Sequence, residues 1–549
     1  MNAQTQNQIQ TQIISIIDKL KATCASYGLG NDGNEYKIIV SIFLYKFLND
    51  KFAYEAKQTD SKLSSAGAHW ESKLATYSDK DYQTLLDKIG DKSAFLQREH
   101  YLSHLYSLQN APDFATTLDN TLLSIAELNK DIFAIKTGGG QKVQLFESIS
   151  NYIVDISKRD EFARAIISPL IDCSFEGIFS QKFDFFATIF EYLIKDYNKD
   201  GGGKYAEYFT PHSVAHIMSR ILVGTSQPKS VKCYDPSAGS GSLLMSLAHT
   251  IGEDKCSIYA QDINQKSSTM LRLNLILNNL THSIANIIQG NTLTNPSHKD
   301  KNGNDAKFDF IVSNPPFKLD FSDFQAQLKA LPNANERFFA AVPNVPKKDK
   351  DKMAIYLCFL QHIIYSLAPN GKAAIVVPTG FLTAQSSIEK TIRQKLIDDK
   401  SLKGVVSMPP NIFATTGTNV SVLFIDKSNA NQKVLLMDAS KLGTKTKEGK
   451  NQKTLLSKDD ESKIIETFLQ GKAIEDFSVL VDFESIKSKG YSFSAGQYFE
   501  VKMEYIDISE SEFKSQIQSY KVALQEHFKK AQDLESAILT QLELLRFGK

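Results

Sequence analysis

Cysteine is scarce in this 549-residue chain, and its five copies (Cys24, Cys173, Cys233, Cys256 and Cys358) stand far apart. There is no CxxC pair and no Cys/His cluster. That argues against a zinc site and a disulfide framework, and it fits a reducing, cytoplasmic compartment. An excess of either charge is also missing: 63 Lys+Arg against 62 Asp+Glu leave a formal net charge of +1. A wholesale polycation or polyanion is excluded, so any nucleic-acid contact has to come from local basic patches or from a partner. Long apolar runs are lacking as well. The longest, Met353 to Ala368, is interrupted by Gln361 and His362. It falls short of the ~20 residues that a membrane span needs and reads as a buried helix. The opening MNAQTQNQIQ has no charged-then-apolar signal pattern. What is present is a 42% hydrophobic composition, enough to build a real core. At ~100–200 residues per domain, the length predicts two to four units.

Three zones differ in texture. Residues 1–165 carry helical periodicity and few strand-like runs, which predicts a helical N-terminal domain. Within it, Glu35 to Phe52 spaces apolar residues three and four apart, as in an amphipathic helix buried on one side. Gly138-Gly139-Gly140 reads as a break or turn. In residues 166–480, short apolar runs alternate with helical patterns. Strands are expected at Val231–Tyr234, Ser257–Ala260, Ile284–Ile288, Phe308–Val312, Ala373–Val377, Val405–Ser407 and Val420–Ile425. Helices are expected at Ser242–Ile251, Gln265–Asn279, Ala354–Leu367 and Ser387–Leu396. This alternation predicts an α/β domain whose mixed, mostly parallel sheet has helices on both faces. Residues 481–549 end in a charged helical pattern from Glu510 to Leu545. Its apolar positions Leu524, Phe528, Ala531, Leu534, Ile538, Leu542 and Leu545 fit a coiled coil or docking helix, or a helix folded back on its own domain.

In a sheet of this kind ligands sit beyond the carboxyl ends of the strands. The first strand leads into Asp235-Pro236-Ser237-Ala238-Gly239-Ser240-Gly241-Ser242, where the glycines allow a tight turn and a close ligand. The full G-x-G-x-x-G is absent and no Gly-Lys-Ser/Thr follows, so a Walker-type phosphate cradle is disfavoured. A plain strand-to-helix turn is the bland reading. The second strand ends in Asp262-Ile263, suited to a ribose diol or, more simply, to capping the next helix. The third ends in Asn291-Thr292, placed for a nucleobase edge or for an ordinary turn. The fourth delivers Asn314-Pro315-Pro316-Phe317, the most specific signal in the chain. Its two prolines fix the backbone and leave carbonyls free to accept, Asn314 adds a second acceptor, and Phe317 offers a face for stacking. Such a corner can hold both hydrogens of a planar amine.

The series Asp235–Gly241, Asp262, Asn291 and Asn314–Phe317 resembles the S-adenosylmethionine-dependent amino-methyltransferases, which implies a Rossmann-like catalytic domain. Upstream, Asp184-Phe185-Phe186…Phe190-Glu191-Tyr192-Leu193 and Gly203-Lys204-Tyr205-Ala206-Glu207-Tyr208-Phe209-Thr210-Pro211 are similar to a narrower group. That group is the modification (M) subunit of type I restriction-modification systems, which methylates adenine at N6 in DNA. Pro369–Lys372, Pro378–Leu382, Pro409–Phe413 and Thr416–Asn419 also resemble it. Two positions depart: Asn291 stands where the family usually has Asp, and Ser237-Ala238 where its loop often carries Ala-Cys.

The resemblance implies S-adenosyl-L-methionine as cofactor, held by Tyr208, Phe209, Thr210, Asp235, Ser237, Gly239, Ser240, Gly241, Asp262, Ile263, Asn291, Thr292 and Asn314. Catalysis would fall to Asn314, Pro315, Pro316 and Phe317, with no metal. The substrate would be an adenine flipped out of double-stranded DNA. Sequence reading would belong to a separate specificity subunit, joined by a second M subunit and, for cleavage, a restriction subunit. Residues 166–480 would form the catalytic domain, and 481–549 a helical docking region. Lys347–Lys352 and Lys441–Lys453 are basic loops suited to phosphate or simply to solvent. Rival readings are a stand-alone adenine-N6 methyltransferase, and an RNA guanine-N2 or protein glutamine methyltransferase with the same tetrapeptide. The last two are usually shorter and lack the Tyr205–Pro211 segment. A scaffold that keeps the fold without transfer is a further rival.

Overall fold

The computed structural model describes residues 3–30, 33–137, 142–179, 210–413, 419–428, 433–448, 451–500 and 508–543. The expected features at 138–140, 184–193, 203–209 and 416–418, Tyr208 and Phe209 among them, lie outside the described residues.

Strands form where aliphatic and β-branched residues run together. In chain order they are β1 (Ile135–Thr137), β2 (Lys142–Val143), β3 (Val231–Asp235), β4 (Cys256–Asp262), β5 (Ile287–Gln289), β6 (Phe308–Ser313), β7 (Leu367–Pro378), β8 (Leu402–Ser407), β9 (Val420–Asp426), β10 (Lys433–Asp438), β11 (Thr444–Glu448), β12 (Asn451–Leu455) and β13 (Ser478–Asp482). An 11-stranded sheet has the order β13-β10-β8-β9-β7-β6-β3-β4-β5-β1-β2, and β11 pairs with β12 in a separate hairpin. From β7 through β6, β3, β4 and β5 to β1 the strands are parallel. β9 runs antiparallel between β7 and β8, while β8 and β10 are parallel to each other. β9 is almost wholly buried along its length, as expected of a strand covered on both faces. The predicted mixed, mostly parallel architecture is therefore the observed one.

Helices Ser242–Ile251 and Gln265–Leu277 carry the chain from β3 to β4 to β5, and Tyr356–Ser366 and Ser387–Asp398 flank β7. The chain steps outward from β3 to β4 and β5, then returns to lay β6 along β3's other side. That reversal makes a topological switch point, with its crevice over the carboxyl ends of β3 and β6.

Several local expectations need correction. Most of the strand expected at 284–288 is a 3₁₀ turn, Thr281–Asn286, and only Ile287–Gln289 pairs. β7 begins six residues early, at Leu367. Its register against β6 jumps from Phe308↔Leu367 to Phe310↔Lys372, so the Pro369-Asn370-Gly371 turn is a bulge within the strand. A Cβ at Gly371 would lie 2.8 Å from the Phe308 carbonyl oxygen, which explains the glycine. In the N-terminal zone, helix Gly33–Thr59 is buried all round from Ile42 to Ala53 rather than on one face. Its charges go inside as neighbours one turn apart: Lys46–Asp50 at 2.9 Å and Lys51–Glu55 at 2.7 Å. Asp50 also accepts the Phe175 N–H at 2.7 Å.

β1 and β2 come from the N-terminal zone and extend the sheet beside β5, and helix Arg159–Ile171 runs across residue 165. Residues up to 498 pack as one unit, and 499–549 make a second. Within the second, helix Glu510–Glu543 has no buried residue; Phe513, Phe528, Leu534 and Ile538 are each more than half exposed.

Among the described residues, the largest fully buried side chains are three arginines, Arg272, Arg337 and Arg393. Each donates to at least one main-chain carbonyl more than 40 residues away in sequence. Arg272 reaches Phe133, Arg337 reaches Thr292 and Leu293, and Arg393 reaches Phe381, Ala384 and Tyr491. Among the described residues, no helix is long and apolar enough to cross a membrane.

Candidate active site

β3 delivers Asp235 to the crevice fully buried. Its Oδ1 accepts the Ser237 N–H at 2.9 Å and the Ser313 hydroxyl at 3.0 Å, and the Ser237 and Ser313 hydroxyls are 2.8 Å apart. The ends of β3 and β6 are thus tied together across the switch point. Burial, with the Asp262 charge adding to it, pushes the Asp235 pKa up to about 7. The loop then turns on Gly239 (φ +53°) and Gly241 (φ +85°) and enters helix Ser242–Ile251. A Cβ at Gly241 would lie 2.1 Å from Leu271 Cδ1, so only glycine fits. Ser240 is buried; its carbonyl accepts from Asn274 Nδ2 at 2.7 Å.

β4 ends in Asp262, which braces the loop directly: Oδ2 accepts the Gly239 N–H at 2.9 Å and Oδ1 the Asn264 N–H at 2.8 Å. Burial raises its pKa too. Asp262 does not cap the next helix, because Asn264 Oδ1 takes the Ser267 N–H at 3.4 Å. A carboxylate has about four lone-pair sites. Two are committed here, which leaves capacity for two hydroxyl donors. Ile263 follows, 66% exposed, an apolar surface at the strand end.

After β5 the side chains do less for a ligand than their position suggested. Asn291 Oδ1 accepts the N–H groups of Leu293 (3.0 Å) and Thr294 (3.4 Å), the ordinary turn geometry. Its oxygen is therefore engaged, and the amide's other end is the Nδ2 donor. Thr292 is buried and donates to the Pro236 carbonyl at 2.7 Å, pinning this loop to the glycine loop. Arg337 holds the same loop from behind, with NH2 on the Thr292 carbonyl at 2.8 Å, NH1 on the Leu293 carbonyl at 2.7 Å and Nε on His362 Nδ1 at 2.9 Å. His362 Nε2 lies 3.2 Å from the Tyr234 hydroxyl, which closes a buried chain back to β3. Burial, and then the Arg337 charge, hold His362 well below the usual histidine range.

β6 presents Asn314, whose Nδ2 donates to the buried Thr210 hydroxyl at 3.2 Å. This leaves Oδ1 as the acceptor. Pro315 is buried and Pro316 half-buried. Phe317 packs edge-on to Tyr356 at 6.3 Å between ring centroids, and Tyr356 packs likewise on Phe381 at 6.2 Å. Thr210, Asp235, Ser237, Gly239, Ser240, Gly241, Asp262, Asn291, Thr292 and Asn314–Phe317 thus come together at one sheet edge. Ser313, Asn264, Tyr356, Arg337 and His362 were missed from the sequence. Ser313 adjoins Asn314 and was open to notice; Arg337 and His362 sit inside helical segments with no local signal.

The chain is 27% identical over 527 residues to the type I restriction enzyme MpnII methylase subunit of Mycoplasma pneumoniae, covering 91% of each protein. It is 25% identical over 443 residues to the HindI methylase subunit of Haemophilus influenzae, covering 76% of this chain and 92% of that one. The type I restriction-modification methyltransferase subunit of Streptococcus thermophilus shares the fold at a TM-score of 0.69 and 22% identity, covering 90% and 99% of the two chains. A model of the N-6 DNA Methylase family matches residues 181–506, more than half of the chain, and the protein belongs to that family.

Proposed function

We propose that the chain methylates N6 of adenine in double-stranded DNA, with S-adenosyl-L-methionine as donor, as the modification subunit of a type I restriction-modification complex. The observation that carries this reading is the joining of Asn314 and Asp235 at one switch-point crevice through Ser313. The residues present suit the donor. A fully buried carboxylate with a raised pKa, Asp235, is the natural partner of a cationic methionine end. Asp262 keeps lone pairs for a ribose diol, and exposed Ile263 offers a surface to an adenine ring. When bound, the cofactor supplies an electrophilic methyl group on a sulfonium.

The chain's own residues do the rest. Asn314 Oδ1 and the Pro315 carbonyl accept hydrogen bonds from the two N6 hydrogens of the target adenine, which weakens conjugation of the nitrogen lone pair into the ring; one of these protons is released to water once the nitrogen carries the methyl group. The two prolines keep those acceptors rigid, Phe317 stacks on the base, and Thr210 fixes the Asn314 amide. Positioning of this kind is worth up to ~7–11 kcal/mol. A base inside a duplex cannot reach the corner, so the adenine is flipped out at a cost of a few kcal/mol.

The sequence carries no recognisable DNA-reading module and a net charge of +1. Sequence choice therefore falls to a specificity subunit, with a second M subunit and a restriction subunit completing the complex. The exposed apolar residues of Glu510–Glu543 suit docking to such partners. The complex works in the cytoplasm, where its DNA is.

Methylome sequencing of host DNA, with and without the neighbouring genes, tests the proposal. The expected mark is N6-methyladenine in a split motif that depends on a neighbour. Asn314→Ala should erase it while cofactor affinity stays within about twofold. Full activity in that variant would overturn the role of Asn314, and marks on another base would overturn the function.

A further inference from the structure

The hairpin β11–β12 plays no part in the crevice described above. Residues 441–453, KLGTKTKEGKNQK, hold five lysines and one glutamate. This is a local excess of positive charge in a chain that is otherwise nearly neutral. The other basic loop is different: in Lys347–Lys352 lysines alternate with aspartates, and Lys352 pairs with Asp349 at 3.4 Å.

The ribbon's register is fixed by five cross-strand pairs, from Thr444↔Leu455 to Glu448↔Asn451. Alternation puts Lys445 and Lys447 on one face, about 6.8 Å apart along the strand. Both are exposed. The base of the ribbon is rigid. Thr454 donates its N–H to the Asn411 carbonyl at 3.1 Å and its hydroxyl to the Pro410 carbonyl at 2.6 Å. Gly443, at φ +84°, lets the chain turn in where a Cβ would lie 2.7 Å from Thr454 Cγ2.

Its location gives the ribbon a direction. β10 runs parallel to β8, and the two antiparallel steps through β9 make both parallel to β7 and β6. The carboxyl ends of β10 and β8, from which the ribbon hangs, therefore lie on the same edge of the sheet as Asn314. Between β6 and β10 there are four strand spacings. At about 4.8 Å each they amount to about 19 Å, the rise of about 5–6 base pairs of duplex.

We propose that the β11–β12 ribbon is a phosphate-binding arm, in which Lys445 and Lys447 hold the DNA backbone several base pairs from the flipped adenine. The inference rests on the reading of DNA as substrate and names the surface that grips it. A cationic, two-stranded ribbon pinned at its base and hung from a strand end at that spacing steadies the duplex against the strain of extruding a base, without reading sequence.

The test is the salt dependence of binding of the full-length chain, co-expressed and purified with its specificity subunit, to a 30-base-pair duplex of arbitrary sequence, followed by fluorescence anisotropy with S-adenosylhomocysteine present. Each phosphate contact contributes about 0.9 to the slope of log K against log[salt]. K445Q/K447Q should lower the slope by about 1.8 and weaken binding at 0.1 M salt by about 60-fold, with S-adenosylhomocysteine affinity unchanged. K445R/K447R should restore the wild-type slope. A wild-type slope shared by K445Q/K447Q overturns the arm alone; if that variant also loses a co-expressed specificity subunit, the ribbon is a protein contact instead. A wild-type complex with the specificity subunit that binds no duplex overturns both the arm and the DNA reading beneath it.

Discussion

Asp235→Asn should separate stability from function, because a carboxylate with no water around it serves the ligand at the fold's expense. Burial moves the Asp235 pKa from 3.8 to about 7. The folded chain therefore holds this proton more tightly than the unfolded chain does. In this term stability falls as pH rises from about 4 to about 7 and stays low above that; keeping the group ionised at pH 8 costs about 4 kcal/mol. Asparagine removes the charge and keeps an acceptor oxygen for Ser237 and Ser313, the partners at 2.9 and 3.0 Å. Without cofactor, D235N should be more stable than wild type at pH 8, by about 2–4 kcal/mol, and the gap should shrink to less than half by pH 5 and close only near pH 4. Paired melts at these pH values read this directly. The cofactor makes the opposite demand. A cation needs the ionised form, so wild-type affinity should rise about tenfold from pH 6 to pH 8, with proton release visible by calorimetry in buffers of different ionisation enthalpy. D235N should bind weakly at every pH. If D235N is the less stable protein at pH 8, or wild-type affinity is flat from pH 6 to pH 8, this account of Asp235 is wrong.

Other perturbations act on the frame of the site. Gly241→Ala sets a Cβ 2.1 Å from Leu271 Cδ1 at a φ of +85°; it should lower stability by about 1–3 kcal/mol and weaken cofactor binding, read by melting and calorimetry. Arg337→Leu strips the Thr292 and Leu293 carbonyls of their guanidinium donor and leaves His362 Nδ1 only the Ser366 hydroxyl at 3.4 Å. At about 1–3 kcal/mol for each buried unmet group, it should cost about 3 kcal/mol or more in thermal stability. Arg337→Lys reaches fewer acceptors and should fall between the two.

The sequence exposed the site more readily than the frame. Asp235, Asp262, Asn291 and Asn314 each follow an apolar run long enough to read as a strand, and a parallel sheet gathers strand ends by topology alone. The side chains' partners were less legible. Thr292 and Asn291 are polar residues at a strand end, which looks the same whether they serve a ligand or a neighbouring loop; here Thr292 serves Pro236 and the Asn291 oxygen serves its own turn. β1, β2 and β13 went unread because two to five residues at a sheet edge leave little periodicity. The run KVLLMD of β10 has no alternation to distinguish a strand from a helical stretch. Helix Gly33–Thr59 reads as one-sided from its three-and-four apolar spacing, whereas Asp50 and Glu55 take its lysines inside as well.

The three interior arginines have a consequence for how the molecule comes apart. A guanidinium in a dry interior is held by the acceptors that other stretches bring to it, and these clasps join positions as distant as 133 and 272 or 393 and 491. Loosening either end sends the cation back toward water and leaves a hole behind it. Peripheral fraying thereby becomes a failure of the centre, and the catalytic body should melt in one abrupt step rather than shed its layers in turn.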